Sequence, residues 1–152
     1  MKLKVESADT AMIEVIARAV IIDKNTQKVL FCATKNRSHY YLPGGHIEFG
    51  ETAAFALRRE IQEEINIDIP EDNFTFAGAS ENFFEQEGKS HHEVNFFFRA
   101  EISLDKNIQS AEEHIIFEWV SFEEFSKTPI LPTSLIPMLK KWITGSEVIW
   151  NA

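Results

Sequence analysis

Arg59, Glu60, Glu63 and Glu64 have the types and the spacing to do chemistry on an anion. If this stretch is helical, three carboxylates and a guanidinium share little more than one turn. Like charges so close repel by about 0.2–0.5 kcal/mol per pair, and burial raises that cost unless something neutralises the charge. A hard divalent cation such as Mg2+ does so, because it prefers oxygen ligands and keeps places for water and substrate phosphates. Thr52 is a natural N-cap, and the helix runs from there to about Ile65. At about 100° per residue, Ala53, Ala54, Leu57, Ile61 and Ile65 form one apolar stripe. With Leu57 at zero, Glu64 falls at about −20°, Glu60 at about −60° and Glu63 at about −120°. Glu64 therefore lies inside the apolar arc and Glu60 at its edge. The plain reading of EIQEE is the wet face of an acidic helix; the place of Glu64 argues against it.

The elements that must position these carboxylates begin with a turn, Pro43-Gly44-Gly45. Proline fixes its backbone and the two glycines permit positive φ, so a main-chain carbonyl can be turned towards a cation. From Gly45 onward the spacing is distinctive. Five residues lead to Glu51, seven more to Arg59-Glu60-Ile61, then Gln62, Glu63-Glu64, Ile65, Asn66 and Ile67. Residues 45–67 resemble the Nudix box, the signature of Nudix hydrolases, G-x5-E-x7-R-E-U-x-E-E-x-G-U with U a bulky aliphatic. One fixed position departs, with Asn66 where the pattern has its second glycine. That residue ends the helix in a left-handed conformation, for which Asn is the next best choice.

The resemblance implies an α/β fold, a Nudix-like α/β/α sandwich with a mixed, curved sheet between helices. It also implies a hydrolase dependent on Mg2+ (or Mn2+). Such an enzyme cleaves the pyrophosphate linkage of a nucleoside diphosphate joined to another moiety, by water attack on phosphorus. On that reading Glu60, Glu64 and the Gly44 carbonyl ligate metal, and Glu63 completes the shell or takes the proton from water. Arg59 orients or screens the carboxylates, and Glu51 at the helix start matches the first glutamate of the box. Catalysis would fall to Glu60, Glu63 and Arg59. Gly45, His46 in the variable part of the box, and Arg37 in the basic loop 35–37 would meet the substrate. Glu112 and Glu113 would supply an extra ligand or base from a late loop, although a solvated acidic loop explains them equally well.

The rest of the chain fits one domain over residues 1–152. A net charge of −9 argues against sequence-independent binding to nucleic acid polymers, which runs on Lys and Arg. Cys32 is alone, so neither a disulfide framework nor a cysteine zinc site is expected. Residues 1–10 lack an apolar signal region and no run approaches a membrane span, so a cytoplasmic protein without a membrane partner is expected. Residues 12–23 and 28–34 read as a hairpin, with a turn at 23–27. Residues 74–85 and 92–102 read as strands around Glu87-Gly88-Lys89, and 117–120 as a short strand. Ser121 with Glu124 makes a capping box. A last helix runs from Thr133 or Ser134 to about Thr144, and the tail 147–152 is either a strand or an ordered end.

His91-His92-Glu93 is not a zinc pattern, because neighbours on a strand face opposite ways. Glu93 could still border the cleft and touch substrate or metal. Most of the 13 Phe are expected in the core, with Phe83, Phe84 or Tyr40 as candidates to stack on a base. Motifs for a covalent nucleophile or a Walker loop are missing. The alternative to an enzyme is a catalytically silent Nudix-fold nucleotide-binding or regulatory domain; the full set of box glutamates favours the enzyme. The expected partner is a small nucleotide, with a homodimer left open. Nucleoside triphosphates, nucleotide sugars, ADP-ribose and dinucleoside polyphosphates all remain candidates.

Overall fold

In the computed structural model, which describes residues 11–103, 108–145 and 147–151, one strand runs through the centre. β1 (Ala11–Asp23) alternates its side chains between two cores. Ala17, Ala19 and Ile21 enter one, Val20 and Ile22 the other. Both faces are covered, which is why its sequence reads as a near-continuous apolar run. Along its whole length β1 pairs in parallel with β6 (Lys89–Ile102). Its other edge is shared by two antiparallel partners, β2 (Val29–Thr34) near Ile22 and β4 (Gly44–His46) at residues 16–18. β3 (Tyr40–Tyr41) and β7 (Ile115–Val120) both pair antiparallel with β2. On the far side β5 (Thr75–Gln86) pairs antiparallel with β6, and β8 (Ile149–Asn151) lies parallel to β5. The sheet is mixed and curved between two helices, the expected α/β/α sandwich.

α1 (Ala53–Ile65) covers one face through Ala56, Leu57, Ile61 and Ile65. α2 (Leu135–Thr144) covers the other through Leu135, Met138, Leu139 and Trp142. The buried Trp142 indole donates to the Ala77 carbonyl at 2.8 Å, so its polar edge carries no desolvation cost. The Thr52 hydroxyl accepts from the Phe55 N–H at 3.2 Å and caps α1, as its type demands. At the other end Asn66 is left-handed, φ 55 and ψ 37, and its N–H reaches the Gln62 carbonyl at 3.0 Å. Asn66→Gly should therefore be neutral or mildly stabilising, whereas Asn66→Val should cost about 1–2 kcal/mol. Thermal melts of the two variants check this; equal midpoints would contradict it.

Differences from the expectation concern the phenylalanines and strand limits, β6 beginning at Lys89 where residue 92 was expected, while the tail takes one of its two expected forms. Only Phe31, Phe74, Phe97 and Phe125 are buried, while Phe49, Phe55, Phe76, Phe83 and Phe122 are exposed. Phe49 lies in the box loop, Phe55 on α1, Phe76 and Phe83 on β5, and Phe122 just after β7. β7 begins at Ile115, because Thr34 supplies a partner for that residue. The tail is a strand, β8. The reading of residues 1–10 lies outside the described residues. Among the described residues no helix is long and apolar enough to cross a membrane. Cys32 is buried, with its thiol pushed up to about 12 mainly by burial and then by Glu64.

Candidate active site

Glu64 occupies the last turn of α1, half-buried, on the arc that faces the sheet. Its Oε2 is fully shielded and has no hydrogen-bond partner among the described residues. Burial pushes the carboxyl up to about 7, and the nearby Glu60 adds to the shift. The Gly44 N–H and the Arg18 guanidinium pull the other way, and Glu112 adds a further repulsion. A shielded, unpartnered carboxylate oxygen is costly in a folded protein and calls for a positive partner.

Arg59 organises the flank of this group. Its Nε and Nη2 grip the two oxygens of Glu51 at 2.7 and 2.9 Å, a bidentate pair that fixes the guanidinium plane. Its Nη1 then donates to Glu60 at 2.8 Å, and Nη2 also reaches the His46 carbonyl at 3.1 Å. The Glu51 carboxyl is accordingly held below its ordinary range, chiefly by Arg59. Glu60 lies flat against the glycine turn: a Cβ built on Gly45 would meet its carboxylate carbon at 2.5 Å. Gly44 has φ +130, and a Cβ there would meet the Ala17 carbonyl oxygen at 2.1 Å. Both glycines are thus required, one by the strand beneath and one by the carboxylate above.

Glu63 is the outward member of the trio, its side chain 61 % exposed and 3.6 Å from Arg59. Glu112 sits close enough to act on Glu64, because the Ala111 N–H donates to the Glu64 carbonyl at 2.8 Å and ties the late loop to α1. Glu113 is exposed. Arg37 is also exposed and pairs with Glu118 at 2.7 Å, which accepts from the Tyr40 hydroxyl as well. His46 projects from the box with its Nε2 2.8 Å from Glu14. Glu93 lines a cleft of about 400 Å³ with Arg18, Phe84, Asn95 and Phe97. As the period of two requires, His91 shares the Phe84 side of the hairpin and His92 stacks on Phe83 on the opposite side.

Two functional candidates escaped the sequence reading. Arg18 donates to the carbonyls of both Leu42 and Gly44 at 3.3 Å, and so joins the cleft to the glycine turn. A lone arginine inside the run VIARAVII was a signal for it, since a strand covered on both faces has no ordinary place for a charge. Glu14 receives both His46 and His91, the latter at 2.6 Å, and these bonds hold its carboxyl below the usual range. Nothing local in the sequence shows that pairing, because β4 and β6 reach β1 from opposite sides.

The donors suit a hard divalent cation: two carboxylates, Glu60 and Glu64, with a shielded oxygen between the turn and the helix. Among the described residues no three His, Cys, Asp or Glu side chains already converge as a cage. Mg2+ does not need one, since it binds through one or two carboxylates plus substrate phosphates and water.

A sequence profile of the NUDIX domain matches residues 12–142. The chain belongs to the Nudix family, as its box implied. Among solved structures it is similar to the mutator MutT protein from Bacillus halodurans, with TM-score 0.71 and 22% identity over 91% of this chain and 88% of that one. It is also similar to the E. coli dihydroneopterin triphosphate pyrophosphohydrolase, with TM-score 0.69 and 20% identity over 86% of this chain and 94% of that one. A C. elegans Ap4A hydrolase gives TM-score 0.63 and 23% identity over 86% and 96%. These identities speak for the fold. With its family and its complete set of box glutamates, the chain is a Nudix-type pyrophosphohydrolase, an enzyme of phosphoric anhydrides.

Proposed function

We propose that this enzyme requires Mg2+ or Mn2+ and hydrolyses the pyrophosphate linkage of a nucleoside diphosphate joined to another group. The observation that carries the reading is Glu64, whose shielded oxygen, beside a second carboxylate, has no partner among the described residues. Glu60, Glu64 and the Gly44 carbonyl would hold the cation. A divalent ion there supplies charge neutralisation for the phosphate oxygens and makes water more acidic. Arg59 keeps Glu60 and the box loop in place through Glu51 and the His46 carbonyl. Glu63, open to solvent, is the group that takes the proton from the attacking water. The water oxygen forms a bond to phosphorus as the bridging P–O bond breaks, leaving two phosphate products. The cleft beside Gly44 takes the nucleoside, its size being that of a small-ligand site.

A cytoplasmic setting belongs to the same proposal, and the lone thiol Cys32 suits a reducing compartment. The test is a substrate panel of nucleoside triphosphates, nucleotide sugars, ADP-ribose and dinucleoside polyphosphates, assayed with Mg2+ and with a chelator. Turnover should vanish in chelator and return with Mg2+ or Mn2+. Undiminished turnover in chelator would overturn the metal requirement.

A further inference from the structure

The nucleoside cleft contains a charged group that phosphate hydrolysis does not use. We infer that Glu93, with Asn82 and Asn95, reads the base and selects a 2-amino-4-oxopyrimidine edge, the edge that guanine presents. The inference rests on the cleft being the nucleotide site. Glu93 lines it from β6, and its Oε2 accepts from the amide nitrogens of Asn95 at 3.3 Å and Asn82 at 3.5 Å. Asn95 is only 6 % exposed, so the carboxylate is held from a buried side. Oε1 has no hydrogen-bond partner among the described residues.

An ionised carboxylate only accepts hydrogen bonds, so its ligand must bring N–H or O–H groups. Guanine places N1–H and the 2-amino group side by side, which matches a carboxylate. Adenine and cytosine set a ring-nitrogen lone pair beside their amino group, and uracil flanks its single N–H with two carbonyls. Each of those brings a lone pair against Glu93. The second hydrogen of each Asn amide remains to serve the guanine carbonyl.

The distance along the strands separates base from ribose. Arg18, which touches the Gly44 carbonyl, is level with Phe97, and Glu93 lies four positions further along β6. At about 3.3 Å per residue that is roughly 13 Å, beyond a ribose adjoining the phosphates and at the far edge of a base. Phe84 lines the same cleft, its ring held by a parallel stack on His91 with centroids 4.7 Å apart. It offers the base a flat apolar face.

Calorimetric titration of the protein with GMP, IMP, AMP and CMP tests this, since IMP differs from GMP only in lacking the 2-amino group. GMP should bind about tenfold or more tighter than IMP, the worth of one hydrogen bond to a charged acceptor. In Glu93→Gln that ratio should fall to about twofold or less, and in Asn82→Ala, which loosens the carboxylate but keeps its charge, it should lie between. Ratios within one protein are insensitive to a modest loss of folded material, and melts of both variants confirm the fold. Neopterin monophosphate carries the same edge on a pteridine and should bind like GMP; binding like AMP would overturn the assignment of that edge as what Glu93 reads. Equal affinity for all four nucleotides would overturn the inference while leaving the hydrolase reading intact. So would indifference to the base joined to a loss of affinity for 2′-deoxy-GMP, which would put the ribose at Glu93. Failure to bind any nucleotide, with no turnover across the substrate panel, would overturn the reading of the site itself.

Discussion

Glu64→Gln lowers turnover with Mg2+ by about a hundredfold or more, yet the metal-free protein melts at the same temperature or higher. The two effects have one cause. Glu64 presents a carboxylate oxygen that is shielded from water and has no partner among the described residues. Its ionisation is resisted first by burial and then by Glu60. In the protein without cation that charge works against the fold, and the isosteric amide removes it. On the proposed reading, the loaded protein needs the same charge to hold the cation and the phosphates in register. Gln62→Ala, on the exposed outer face of the helix, should change neither quantity. A variant that lost turnover only because the apo protein unfolded would show Glu64 to be a structural residue.

Gly45→Ala and Gly44→Ala, one residue apart, should fail in opposite ways. The nearest atoms to a Cβ on Gly45 are the end of the Glu60 side chain, at 2.5–2.7 Å. That side chain can swing away, so the fold survives with a loss of about 1 kcal/mol or less. The carboxylate is then out of place by about the width of a methyl group, which should cost about a hundredfold in turnover. A Cβ on Gly44 instead meets the Ala17 carbonyl of β1 at 2.1 Å, on a backbone with φ +130. Neither the central strand nor that φ can yield, and the change should destabilise the protein by about 3 kcal/mol or more. Denaturant melts and turnover, measured on both variants, separate the cases. Similar melting loss in both would mean that Glu60 is not free to move.

What the sequence made legible was local. Helical periodicity placed Glu64 on the buried arc, and the cap types of Thr52 and Asn66 set the ends of α1. The apolar run of β1 and the turn at Asp23, whose carboxylate accepts from the Asn25 and Thr26 N–H groups, were also readable. Sheet order was not, because the parallel pairing of β1 with β6 joins residues some eighty positions apart with no turn between them to announce it. The same blindness hid Arg18 beside Gly44, the Glu14 bridge between two histidines, and the Asn82–Glu93–Asn95 cluster. Each is assembled from different strands. The phenylalanines show the converse error, since hydrophobicity alone does not tell which face of an element is left uncovered.

Whether the box carboxylates hold a cation can be measured without any substrate. Titration of metal-free protein with Mn2+, followed by electron paramagnetic resonance of the free ion, gives the affinity directly. Wild-type protein should take up Mn2+ in competition with Mg2+, Glu64→Gln should bind it at least about tenfold more weakly, and Gln62→Ala should match the wild type. Identical isotherms for wild type and Glu64→Gln would contradict the assignment of Glu64 as a metal ligand.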